Sequence, residues 1–352
     1  MHSPGSRENE AARELLRLCR EMGPVQQVFI AASQVDPASA WPALPHLDAL
    51  ASALHDSERA CLQMRSALSY RRLILRLAAS AAERAGCETS DSLMQMLAEA
   101  MGEELGVAGG AGDAGTCYCS YDIGEKLVHV RRAVGAFGET GLVVWGAALL
   151  LSEYIIATAA EFEGKRLLEL GAGTGLSGLV AACCAAPAAV TLTDSVPVVL
   201  QNLRHNVGIN AGAFCGTEVE VEAFDWALPD PGGEQAARLR PDVVLAADCV
   251  YGPEVNDVFA PALQRLLSSH SGSDSDSSQV QRKAILVCGE RSGSLADFVG
   301  RFDSGDWRVQ DITEHARAAI GLLPRFCYEA LPGDSGKDRE IMRVLEITAV
   351  AV

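Results

Sequence analysis

The chain has 352 residues, of which 49% are hydrophobic, 21% charged and 5% aromatic. That is long enough for one large domain plus a smaller one, and too apolar for a disordered chain. With 29 Lys and Arg against 46 Asp and Glu, the net charge is −17, a field that repels phosphate backbones and argues against direct nucleic-acid binding.

In chain order, residues 1–10 are polar and are expected to be a frayed, disordered tail, and Glu8, Glu10 and Glu14 speak against a transit peptide. From Ala11 to about Leu105 the pattern is helical. Leu15, Leu16 and Cys19, then Leu73, Ile74 and Leu77, then Leu93, Met94 and Leu97 fall at helical spacing. Strand-like runs are scarce there, so a small helical domain over 11–105 is predicted. Residues 106–115, rich in glycine, mark the break to a second domain at 116–352.

The texture then changes. Tyr118 to Val130 reads as two short strands around Asp122-Ile123-Gly124, and a helix is predicted from about Val143 to Ala160. That last region is the richest in apolar residues, but Ser152, Glu153 and Tyr154 interrupt it, and nothing approaches the roughly 20 apolar residues of a membrane span. No membrane association is expected. Strands are predicted at 166–170, 189–193, 219–224, 242–246, 284–288, 307–312 and 341–347. Helices are predicted at 175–186, 196–209, 254–267 and 293–301. This alternation indicates a parallel α/β sheet with helices on both faces. Residues 268–279 (SSHSGSDSDSSQ) read as a disordered loop.

The most informative stretch runs Arg166-Leu-Leu-Glu-Leu-Gly-Ala-Gly-Thr-Gly-Leu-Ser-Gly178. An apolar strand enters Gly171, Gly173 and Gly175, with Ala172 between the first two, and a helix follows; glycines are what a chain needs to turn sharply against a ligand. The dinucleotide pattern G-x-G-x-x-G fails at Leu176. Glu169 just before the loop would repel a pyrophosphate, whereas a sulfonium and an ammonium tolerate a carboxylate. The pattern therefore points to S-adenosylmethionine. Asp194, at the end of the next strand, is placed to accept hydrogen bonds from ribose hydroxyls, and also to cap the following helix. Asn202, Asn206 and Asn210 recur every four residues and are expected to form a polar helix face. Asp225 and Trp226 follow the third strand, where a carboxylate and an aromatic suit an adenine ring. Ala247 and Asp248 end the fourth strand, at the sheet edge where open α/β folds hold ligands.

Eleven cysteines include Cys117-x-Cys119 and Cys183-Cys184, with no matching Cys or His cluster. Reduced, mostly buried thiols in a cytosolic protein are expected, and no metal site.

With these residues in place, Gly141 to Val250 resembles the class I, seven-β-strand protein-lysine methyltransferases. It is similar to the group with a D-x-x-Y motif after the fourth strand, present here as Asp248-Cys-Val-Tyr251, and with a tryptophan before the first strand's preceding helix, present as Thr140-Gly-Leu-Val-Val-Trp145. Glu139 to Glu153, Pro241 to Asp248 and, weakly, Tyr70 to Met101 look like the branch that acts on eukaryotic elongation factor 2. The insertion at 268–279 and the C-terminal region depart from it. The resemblance implies a seven-stranded Rossmann-like methyltransferase sheet with a helical N-terminal domain, and cytoplasmic, monomeric protein-lysine N-methylation with elongation factor 2 as the acceptor. It implies Trp145, Glu169, Gly171, Ala172, Gly173, Asp194, Asp225, Trp226 and Ala247 around S-adenosylmethionine, with Asp248 and Tyr251 as the catalytic pair. Other acceptors such as a chaperone, and a non-catalytic scaffold, stay open. A nicotinamide dehydrogenase would need a better loop than this one.

Overall fold

The structure is a computed structural model; it describes residues 4–23, 25–59, 68–102, 116–133, 140–228, 234–268, 281–289, 291, 293–321, 325–326 and 341–350. Two compact units divide the chain, one made of 1–122 and 131–138, the other of 123–130 and 139–352. The glycine-rich break at 106–115 and residues 269–279 of the predicted loop lie outside the described residues, and Ser268 ends a helix.

The first unit holds α1 (Pro4–Glu21), α2 (Val25–Val35), α3 (Leu44–Arg59), α4 (Leu68–Ala85) and α5 (Asp91–Gly102). Residues 4–10 are thus the start of a helix rather than a frayed tail. Each helix buries one stripe: Leu15, Leu18 and Cys19 on α1, Leu47, Leu50, Ala51 and Leu54 on α3, Ile74, Leu75, Ala78 and Ala82 on α4. Polar bonds fix the ends of the helices. Tyr70 Oη donates to Gly23 O at 2.7 Å, Arg72 Nε donates to Ala100 O at 2.7 Å, and Ser90 Oγ caps α5 by accepting from Leu93 N.

Strands β1 (Thr116–Asp122) and β2 (Leu127–Ala133) form a two-stranded sheet. The unit boundary falls at their turn and within β2, later than the break read from composition. Side chains explain why 123–130 go with the second unit. Lys126 Nζ donates to Cys183 O and Ala213 O at 3.0 and 2.8 Å. Asn210 accepts from His129 N through Oδ1 at 2.8 Å and donates to His129 O through Nδ2 at 2.7 Å, taking the place of a neighbouring strand.

The second unit is built on a sheet ordered β5-β4-β3-β6-β7-β9-β8. The strands are β3 (Arg166–Leu170), β4 (Ala189–Asp194), β5 (Glu218–Ala223), β6 (Val243–Ala247), β7 (Lys283–Gly289), β8 (Trp307–Asp311) and β9 (Met342–Ala349). Apart from Glu169, the residues buried by the central strands β3, β6 and β7 are apolar, while edge strand β5 alternates Glu and Val. β3 to β7 are parallel, but β9 runs antiparallel between β7 and β8. The predicted parallel sheet holds from β3 to β7; the antiparallel edge was not read from the sequence, because short apolar strands carry no mark of direction. Helices α6 (Gly146–Ala157), α7 (Leu176–Cys184), α8 (Pro197–Asn210), α10 (Pro253–Ser268) and α11 (Ser294–Gly300) match the predicted ones. Two further helices, α9 (Glu234–Leu239) and α12 (Thr313–Ile320), were not predicted.

The asparagines on α8 are not a solvated face. Asn202, Asn206 and Asn210 are all buried, and Asn206 Nδ2 donates to Thr174 O in the glycine loop at 2.9 Å. Replacing Asn210 with Ala removes both bonds to His129 and is expected to cost about 2 kcal/mol. Chemical unfolding of the purified variant against the parent measures the loss.

Candidate active site

β3 pairs with β4 on one side and β6 on the other, so the chain leaves this strand in both directions and a crevice opens at the strands' carboxyl ends. The glycine loop fills that crevice. Gly171, Gly173 and Gly175 have φ of 58°, 55° and 82°, a region where L side chains are strained. Space is also short. A Cβ on Gly171 would lie 2.9 Å from Trp226 Cζ2 and 3.0 Å from Cys249 Sγ, and one on Gly173 would lie 3.0 Å from Gly141 O. Gly178, inside α7, lets the helix close onto the sheet, since a Cβ there would meet Glu169 Oε2 at 2.8 Å. It supplies the tight helix–strand contact that the sequence lacks at Leu176.

Main-chain bonds join the rim. Ala172 N donates to Thr193 O at 2.8 Å, and Phe224 N donates to Asp194 O at 3.0 Å. Asp194 stands between the loop and its own helix, its Oδ2 accepting from Gly173 N at 3.3 Å and its Oδ1 from Val196 N at 3.1 Å. It caps and faces the loop at once, and a carboxylate with about four lone-pair sites keeps acceptor capacity for a pair of hydroxyls.

Glu169 is placed differently from the sequence reading. It is buried, and its Oε2 accepts from Gly178 N at 2.9 Å, so the carboxyl faces the first turn of α7 rather than the loop's mouth. Burial pushes it up from 4.5 to about 7, partly offset by the bonds from Gly178 and Ser177. Between those values the folded chain keeps the proton that the unfolded chain has lost, so this group's stabilisation is full below about pH 4.5 and is lost as pH rises to about 7. Glu169→Gln should flatten that slope and leave the variant about 3 kcal/mol more stable than the parent above neutrality. Urea unfolding across the pH range reads the difference.

Asp225 is exposed and its Oδ1 accepts from Ala227 N at 2.9 Å. Trp226 is half-buried, packed on Gly171 and on Phe259, with ring centroids 4.8 Å apart. Trp145 stands at the N-terminus of α6, 38% exposed, its indole N–H donating to Thr140 O at 3.1 Å. The turn carrying Thr140 also brings Gly141 over Gly173.

Ala247 ends β6 and is half-buried. Asp248 follows with φ of 60° and its N–H tied to Val287 O at 2.8 Å. That left-handed turn carries its side chain off the strand line. Cys249 Sγ, buried, donates to Leu170 O at 3.4 Å, which stitches the Asp248–Tyr251 segment to the glycine loop. Tyr251 is 53% exposed. Burial, and then its neighbours Cys249, Asp248 and Asp194, push its phenol up, so it is an O–H donor at neutral pH. Sequence reasoning missed Arg291, whose Nη2 lies 2.9 Å from Asp248 Oδ2. It follows the end of β7, and its place after a parallel strand was the one signal available. A separate cleft of about 330 Å³, lined by Tyr154, Glu161, Asp311, Glu314, His315 and Glu346 among others, shares no residue with this rim.

Comparison with known proteins shows what the segment is similar to. Residues 127–284 match a family described as lysine methyltransferase. The chain is 31% identical over 214 residues to the protein-lysine N-methyltransferase EEF2KMT of Homo sapiens, covering 58% of this chain and 63% of that one. It is 32% identical over 230 residues to the Bos taurus protein of the same name, covering 58% and 64%. Against the calmodulin-lysine N-methyltransferase of Arabidopsis thaliana it is 31% identical over 163 residues, covering 46% and 49%. The chain thus spans from about half to just under two-thirds of the length of these relatives.

Proposed function

We propose, from the match of residues 127–284 to a family described as lysine methyltransferase, that this chain transfers a methyl group from S-adenosylmethionine to the side-chain nitrogen of a protein lysine. The acceptor is a lysine of eukaryotic elongation factor 2, which puts the reaction in the cytoplasm. The observation that carries the reading is the junction of two motifs: Cys249, inside Asp248–Tyr251, lies against Gly171 of the glycine loop. A group held by the loop and a side chain met by Asp248 therefore share one crevice.

The residues present suit the cofactor. A loop without side chains at Gly171 and Gly173 admits a ligand against the main chain, and Asp194 has acceptor capacity for ribose hydroxyls. Ala172 and Ala247 add small apolar walls, Asp225 and Trp226 take the adenine side, and Trp145 takes the outer edge. Glu169 contributes by fixing the loop-to-helix turn. When bound, the cofactor supplies a methyl on an already activated sulfonium. The chain's own task is then to position the amine and shed water.

Asp248 accepts a hydrogen bond from the incoming nitrogen and aligns it; a carboxylate favours the ammonium form, so it orients better than it deprotonates. Tyr251, half-exposed and protonated, closes the entry and leaves a route for the proton to water.

Purified protein incubated with methyl-labelled cofactor and recombinant, unmodified elongation factor 2, with calmodulin in a parallel reaction, tests this. Label on an elongation factor 2 lysine, located by mass spectrometry, is the expected result. Label on calmodulin alone moves the acceptor, and label on neither removes the assignment.

A further inference from the structure

The described titratable groups that act on the Asp248–Tyr251 segment come from four strands. They are Cys249 and Tyr251 beside Asp248, Cys288 on β7, Asp194 at the end of β4, Glu169 on β3, and Arg291 beyond β7. Of these, Arg291 alone is a cation. Asp248 is only 8% exposed, whereas Arg291 is 49% exposed, so the guanidinium sits on the solvent side of a covered carboxylate. The Asp248 main chain is held by Val287 O and by a left-handed turn, which fixes the direction in which its side chain leaves the backbone.

We propose that Arg291 is a positioning residue: by pairing with Asp248 it cancels the carboxylate's charge, so that an incoming lysine is aligned by a hydrogen bond without being trapped as an ammonium ion. This rests on the proposed meeting of Asp248 with the amine. A lone carboxylate within about 4–6 Å of an amine raises its pKa by roughly 1–3 units and so holds the proton that must leave before transfer. A guanidinium does not lose its charge in proteins, so its compensation persists across the working pH range. Lysine in its place carries the same charge with a single nitrogen, and one nitrogen is all that the observed pair uses.

The experiment compares wild type, Arg291→Gln, Arg291→Lys and Asp248→Asn, with elongation factor 2 as acceptor and kcat and KM measured from about pH 6.5 to 9.5, a range that approaches the free lysine pKa of about 10.4 from below. Arg291→Gln should move the acidic limb of the kcat profile up by about one pH unit, lowering kcat near pH 7 about tenfold, with KM unchanged or lower. Activity should return at high pH, and Arg291→Lys should restore the wild-type profile. A profile for Arg291→Gln that overlays wild type, or one lowered equally at every pH with a raised KM, overturns the proposal. Full activity in Asp248→Asn instead removes the underlying reading, whatever Arg291→Gln does. Unchanged calorimetric binding of the demethylated cofactor to Arg291→Gln shows that the variant is folded.

Discussion

Asp248→Asn is expected to lower methyl transfer by about 100- to 1,000-fold, the scale on which removing one well-placed electrostatic partner acts. The fold should survive. The side chain keeps its size, the main-chain bond to Val287 O is untouched, and an amide oxygen can still accept from Arg291. Binding of the demethylated cofactor should change little, because the glycine loop and Asp194 do not depend on this carboxylate. The loss should therefore appear in kcat rather than in cofactor affinity. Steady-state assays with calorimetry on the same preparation separate the two. If Asp248 merely closed a strand end, the variant would lose neither.

The second large effect falls on binding. Asp194→Ala is expected to weaken cofactor binding by about 100-fold or more, since hydrogen bonds to a charged acceptor are worth roughly 1.5–3 kcal/mol each and a ribose offers two. The same change frees Gly173 N and Val196 N from their acceptor, loosening the loop and the start of α8. Asp194→Asn distinguishes the roles. One oxygen remains to receive Val196 N, so capping is largely preserved, while the charge that favours two hydroxyl donors is gone. A cofactor affinity that falls in both variants, with unfolding stability reduced mainly in Asp194→Ala, is the expected pattern. Equal affinity for wild type and Asp194→Asn would reduce this residue to a cap.

Much of the sheet was legible because its central strands announce themselves. Leu167, Leu168 and Leu170 form an apolar run broken only by Glu169 and ending in glycine, the pattern of a strand buried on both faces and followed by a tight turn. Helices α9 and α12 escaped notice because six and eight residues are too few to display a period. The antiparallel placing of β9 between β7 and β8 has no local signature, since strand direction depends on how the chain returns and not on the strand's own residues.

At the site, residue type proved easier to read than side-chain direction. Glu169 was found by its place before Gly171, but in a strand covered on both sides its sequence position does not say which layer the carboxyl enters. The structure turns it to Gly178. The α8 asparagines have the spacing of a solvated stripe, yet all three are buried, and the amides of Asn206 and Asn210 satisfy main-chain groups at Thr174 and His129. Arg291 belongs to no pattern at all. Its relevance comes from the parallel register of β6 and β7, which brings the residues after both strands to one rim.

Whether the carboxyl-end rim of β3, β4 and β6 holds S-adenosylmethionine is read by titration calorimetry with that cofactor and with its demethylated product. Folded wild-type protein should give saturable heat with both ligands, and that heat should be lost on replacing Asp194. Absence of heat with either ligand, on protein whose unfolding transition is cooperative, would contradict binding at this rim.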